Sequence, residues 1–121
     1  MSLIQELGLY HYKAVVSGPQ YDGDTWTLDI DLGFKVWLRD QSVRLLGINT
    51  PEVRGEERIK GQLVRDFVRS EWPVGTYLLI ESAKDKAGKY GRWLGTLWVP
   101  GEETSINQQL IDLGCAEPAV Y

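Results

Sequence analysis

At 121 residues, 43% hydrophobic and 25% charged, the chain has room for one domain around one core and the composition of an ordinary globular protein. No apolar run approaches the roughly 20 residues needed to span a bilayer, and a lone cysteine, Cys115, excludes an internal disulfide. A net charge of −4 argues against a tight non-specific nucleic-acid binder, so only local clusters among the 13 Lys and Arg residues can meet an anionic partner.

Met1 to Lys13 lacks the charged start and apolar core of a secretory signal. The chain as given is therefore expected in the cytoplasm, secretion requiring that a leader has been removed. One domain is expected over 1–121, with its core over about 9–117, acting as a monomer without membrane contact. From Leu9 to Val16 the pattern is strand-like, with Tyr10, Tyr12, Ala14 and Val16 on one side, and Ser17-Gly18-Pro19 reads as a turn. Trp26, Leu28, Ile30 and Leu32 then alternate with Thr25, Thr27, Asp29 and Asp31, the period of a half-buried strand. Asp31-Leu32-Gly33 reads as a hairpin turn, after which Phe34, Val36 and Leu38 continue the alternation, and a further strand segment runs from Ser42 to Gly47. Beyond Pro51, Ile59, Leu63, Val64, Phe67 and Val68 fall at helical spacing, with Arg58, Lys60, Arg65 and Arg69 on the other face. Glu56 and Glu57 suit the positive end of that helix and Pro73 ends it. Two more strands are predicted near Thr76–Ser82 and Arg92–Val99, separated by a polar loop, Ala83–Gly91. A last helix starts near Ser105, which with Gln108 forms a capping box; it carries Ile106, Leu110 and Leu113 inward and stops at Gly114. The order βββαββα is that of an α+β, mainly β fold, the five-stranded OB-fold barrel with two helices. Such a fold hosts many functions, so function must come from a site.

Three segments carry candidate chemistry: Tyr21-Asp22-Gly23-Asp24-Thr25, Arg44 through Glu52, and Lys89-Tyr90-Gly91-Arg92. Asp22-Gly23-Asp24 alone is an ordinary turn, yet two nearby carboxylates also suit a hard cation such as calcium. Arg44 lies in an otherwise apolar stretch, where it needs either a structural ion pair or a ligand. Asn49-Thr50-Pro51-Glu52 offers an amide oxygen, backbone carbonyls and a carboxylate, or simply a proline turn into the helix. Arg92 is either a surface arginine beside a turn or a phosphate ligand. Oxygen ligands for a divalent cation, two arginines and one further carboxylate together make a set suited to phosphodiester hydrolysis. Cys115 reads as a small buried hydrophobe and His11 as structural.

Over about Tyr10 to Ala116 these segments, in this order, resemble the staphylococcal nuclease (thermonuclease) family. The resemblance implies a calcium-dependent endonuclease acting on DNA and RNA, with water attacking phosphorus to leave 3′-phosphate and 5′-hydroxyl ends. It implies Asp24 as a calcium ligand with Asp22 in support, Asn49 as a second side-chain ligand, and Thr50 as a carbonyl ligand. Glu52 becomes the general base, and Arg44 and Arg92 the phosphate clamps. Tyr90, Lys89 and Lys84 fall on the nucleotide side, and Asn107 in a structural role. Asn49 departs from the aspartate of the best-known member; it keeps a carbonyl oxygen but removes a negative charge, so weaker calcium binding is expected. A base-stacking aromatic is not clearly matched, Val120 holding one candidate position and Tyr121 the next. Arg54, Arg58, Lys60, Lys84, Lys86 and Lys89 flank the segments and form either a solvated face or a basic rim. The competing reading is a non-catalytic OB module binding nucleic acid or protein; such modules lose several of Asp24, Arg44, Glu52 and Arg92, and this chain has all four.

Overall fold

The computed structural model describes residues 10–87 and 92–120, the stretch 84–87 by its backbone alone. Strands β1 (His11–Asp22), β2 (Thr25–Gly33) and β3 (Val36–Leu45) form an antiparallel meander. β4 (Ile48–Asn49), a 3₁₀ turn (Gly55–Glu57) and helix α1 (Arg58–Glu71) follow. After them come β5 (Tyr77–Ala87), β6 (Trp93–Trp98), helix α2 (Ile106–Asp112) and β7 (Glu117–Pro118). The strands close a five-membered barrel in the order β1-β2-β3-β6-β5, sealed by antiparallel pairing of β1 with β5 and by the parallel pair β3–β6. β4 and β7, which the sequence reading did not contain, form a separate two-stranded sheet.

Alternation explains the interior. Val16 pairs with Leu28, Trp26 with Val43, and Ala14 with Leu78, and all six are essentially inaccessible to solvent. Ile106 and Leu110 of α2 complete the core from one end. Asn107, also buried, stitches that helix to the barrel. Its Oδ1 accepts from the Leu97 amide at 3.1 Å, and its Nδ2 donates to the Leu46 and Gly95 carbonyls at 2.9 and 3.2 Å.

Several expected boundaries move. Ser17-Gly18-Pro19 is not a turn: β1 runs through it to Asp22, with register shifts on either side of Gly18 that accommodate the proline as bulges do. The β2–β3 hairpin turns at Phe34-Lys35 rather than Asp31–Gly33, with both residues at positive φ (54° and 64°) as a type I′ connection demands. Phe34 is therefore wholly exposed and does not continue the core alternation. The two segments predicted after it are one strand, β3, bent at Asp40 (φ 51°). β5 continues to Ala87, into the stretch expected to be loop. At α2, Ser105 Oγ caps the Gln108 amide at 3.1 Å, but the Gln108 side chain turns forward to Asp112, so only half of the capping box forms. Leu113 lies past the helix end and faces solvent.

The inward face of α1 also differs from expectation. Ile59 and Leu63 are about two-thirds exposed (68% and 66%), while Gly61 and Val68 are buried and Val64 packs against the core. A glycine inside a helix costs about 1 kcal/mol relative to alanine. Here it lets the helix rotate its smallest residue onto the preceding chain, and this turns Ile59 and Leu63 outward.

Candidate active site

Asp22 ends β1 and Thr25 begins β2, so Gly23-Asp24 is the tip of the β1–β2 turn. The tip is pinned on three sides. The Asp24 amide donates to Asp22 Oδ1 at 3.1 Å, Trp26 Nε1 donates to the Gly23 carbonyl at 2.9 Å, and the Leu45 amide donates to the Asp24 carbonyl at 2.8 Å. Gly23 is needed for space: a Cβ there would stand 2.7 Å from Thr50 Cγ2 and from Val64 Cγ1.

The meander sets Arg44 opposite Thr25, directly beside this turn. Its guanidinium forms an ion pair with Asp24 and donates to Asn49 Oδ1, which answers why an arginine is tolerated at a position only 14% exposed. Asp24, 7% exposed at its side chain, also accepts the Thr50 amide at Oδ2 (2.9 Å). The Thr25 hydroxyl donates to Asp24 Oδ1 at 3.4 Å and accepts from Arg92 Nη1 at 3.3 Å. Thr25 thus links the second arginine to the first carboxylate. Arg92 reaches it because the parallel pair Arg44–Leu94 brings the start of β6 alongside β3. Asn49 is held in β4 opposite Glu117.

These side chains share one cleft of about 350 Å³, lined by Asp22, Asp24, Arg44, Asn49, Thr50, Glu52, Glu57 and Arg92. Burial first, then the hydrogen bond and charge of neighbouring Asp24, push the Asp22 carboxyl up to about 7. Two carboxylates so disposed favour a cation beside them. A second cleft of about 360 Å³ adjoins the first through Asn49, Thr50 and Glu57 and runs toward Lys60 and Cys115.

Residues 42–121 match the family described as Staphylococcal nuclease homologue. The chain belongs to that family. The matched stretch includes Arg44, Asn49, Thr50, Glu52 and Arg92, whereas Asp22 and Asp24 precede it and join the same cleft through the fold alone. A comparison with curated proteins found no match. Of the residues singled out in the sequence, all three proposed metal ligands, Asp22, Glu52 and both arginines meet in the cleft. Lys89, Tyr90 and the Lys84 side chain lie outside the described residues. Sequence reasoning missed Glu57, assigned there only to a helix end, and gave Thr25, which closes the first candidate segment, no role of its own. It also missed Gly61, although a glycine inside a helical pattern is a signal of close packing.

Proposed function

We propose that this member of the staphylococcal nuclease family is a calcium-dependent nuclease that hydrolyses phosphodiester bonds of DNA and RNA. The observation that carries the reading is the convergence of Asp24, Arg44, Glu52 and Arg92, drawn from separate elements, on one cleft. The donor set fits a hard divalent cation: the carboxylates of Asp22 and Asp24, the Asn49 amide oxygen and the Thr50 carbonyl are all oxygen ligands of the kind calcium takes. When bound, such an ion supplies charge neutralisation and polarisation at the phosphate.

The chain's own residues account for the remaining requirements. Arg44 and Arg92 present planar forks of N–H donors to the phosphate oxygens and to the charge that grows on them in the transition state. Glu52, exposed at the cleft, accepts the proton of a water attacking phosphorus. The new bond joins that water oxygen to phosphorus and the bond to the 5′ oxygen breaks. A solvent proton completes the 5′-hydroxyl, and the phosphate stays on the 3′ side. Asp22 and Thr25 hold Asp24 in place, through its backbone amide and its carboxylate respectively.

The test is incubation of single- and double-stranded DNA and of RNA with calcium, with magnesium and with chelator, followed by analysis of the ends. Calcium-dependent cleavage leaving 3′-phosphates is expected; cleavage in chelator, or 5′-phosphate products, would refute the mechanism. A non-catalytic binding module is the second reading, favoured by the Arg44–Asp24 ion pair, which gives both residues a structural partner. It predicts nucleic-acid binding without cleavage in the same assay.

A further inference from the structure

We propose that Gly61 is a positioning residue for Glu52: by admitting the Glu52–Val53 backbone against α1, it sets where the Glu52 carboxylate stands in the cleft. The inference rests on the reading of Glu52 as the proton acceptor.

Gly61 lies inside α1, is buried, and is not among the glycines at positive φ, in contrast to Gly55 at 79°. Conformational freedom therefore does not explain it; space does. A Cβ at this position would overlap the Glu52 carbonyl group and stand 2.8 Å from the Val53 nitrogen. Those are backbone atoms, which cannot rotate aside as the end of a side chain can, so any larger residue displaces either the helix or the Glu52 segment. The helix is not free to yield. Val64, on the next turn, touches the site of the missing Gly23 side chain between the two aspartates, and Val68 is sealed in the core. Gln62 Nε2 meanwhile donates to the Val53 carbonyl at 3.4 Å, a second tie between α1 and the same segment. One helical face thus supports both the carboxylate turn at 22–24 and the chain that carries Glu52. The element that gives is the Glu52 segment, which is half-buried to exposed and follows the short β4.

A misplacement of about 1 Å of a reacting group is enough to cost on the order of 10²-fold in rate. Gly61→Ala is accordingly expected to lower kcat by about 10²-fold with KM little changed, and in a Glu52→Gln background to cause little further loss. A role confined to stability would give the same loss in both backgrounds and would overturn the proposal, as would a wild-type kcat. Gly18→Ala, where a Cβ meets Thr27 at an ordinary 3.7 Å, is the control expected to leave kcat unchanged. Gln62→Ala, an exposed change that spares the packing, is expected to repeat the pattern at a severalfold scale. The positioning is also read without cleavage, from backbone amide resonances of Gly61→Ala. The largest shifts are expected at Glu52 and Val53, and unmoved resonances there would overturn the proposal. If the wild-type chain cleaves nothing, the reading of Glu52 as a base fails, while these resonances still decide whether Gly61 sets its place.

Discussion

Asp24 and Asn49 share one guanidinium, that of Arg44, and Asp24 also takes the Thr50 amide. At this scale the most consequential single atom is Asn49 Nδ2, which stands where a carboxylate oxygen would add a charge. Calcium affinity follows the charge of its ligands, so Asn49→Asp is expected to bind calcium more tightly than the wild type. Titration calorimetry in the absence of nucleic acid measures this directly, and an unchanged or weaker affinity would contradict it. Which residues were legible from sequence follows from the same local physics. Arg44 was legible because a charge in an apolar strand demands a partner. Glu57 was not, because a glutamate beside a helix start already has a sufficient reason to be there. Its place in the cleft depends on how the 3₁₀ turn at Gly55–Glu57 delivers the chain into α1, which no spacing in the sequence encodes.

Among the elements, the β2–β3 hairpin offers the clearest titration. Asp29 accepts the Asp40 amide at 2.8 Å and Arg39 Nη1 at 3.0 Å, and these bonds hold the bend at Asp40. The Asp40 amide chiefly, with help from Arg39, keeps the Asp29 carboxyl below its usual 3.8. A carboxyl depressed on folding stabilises the protein above its unfolded value and loses that contribution as pH falls through its folded one. Asp29→Asn is thus expected to be less stable than the wild type near neutral pH, with the gap closing as pH falls below 3.8. Urea denaturation across that range tests it; a gap that persists in acid would contradict the account. The period-two run of β2 was legible because burial imposes it, whereas in α1 only Val64 and Val68 of the predicted apolar set meet the core and Ile59 and Leu63 stay exposed. The turn at Phe34-Lys35 was not, since neither residue advertises the left-handed backbone it adopts. The orientation of α1 was misjudged because Gly61, not the larger apolar residues, decides which face approaches the chain.

For the whole molecule the proposed function requires that a chain of net charge −4 meet a polyanion. Arg54, Arg58 and Lys60 are exposed around the 3₁₀ turn and the start of α1, and Lys60 lines the cleft that adjoins the site. A local basic rim around an acidic pocket is screened by salt. KM for DNA is accordingly expected to rise steeply between about 50 and about 200 mM salt, as initial rates would show; a flat KM would leave those residues as a solvated face. The barrel contributes geometry: its strand pairing sets both arginines beside the β1–β2 turn, and the chain leaving β3 brings Glu52 to the same cleft. We propose this convergence as a catalytic site. Calcium-supported DNA cleavage by Glu52→Ala and Arg92→Ala, each confirmed as folded, tests it most directly against the wild type. Rates lower by about 10²–10⁴-fold are expected for the loss of the base, with a comparably severe loss for the arginine. Folded variants that cleave as fast as the wild type would contradict it.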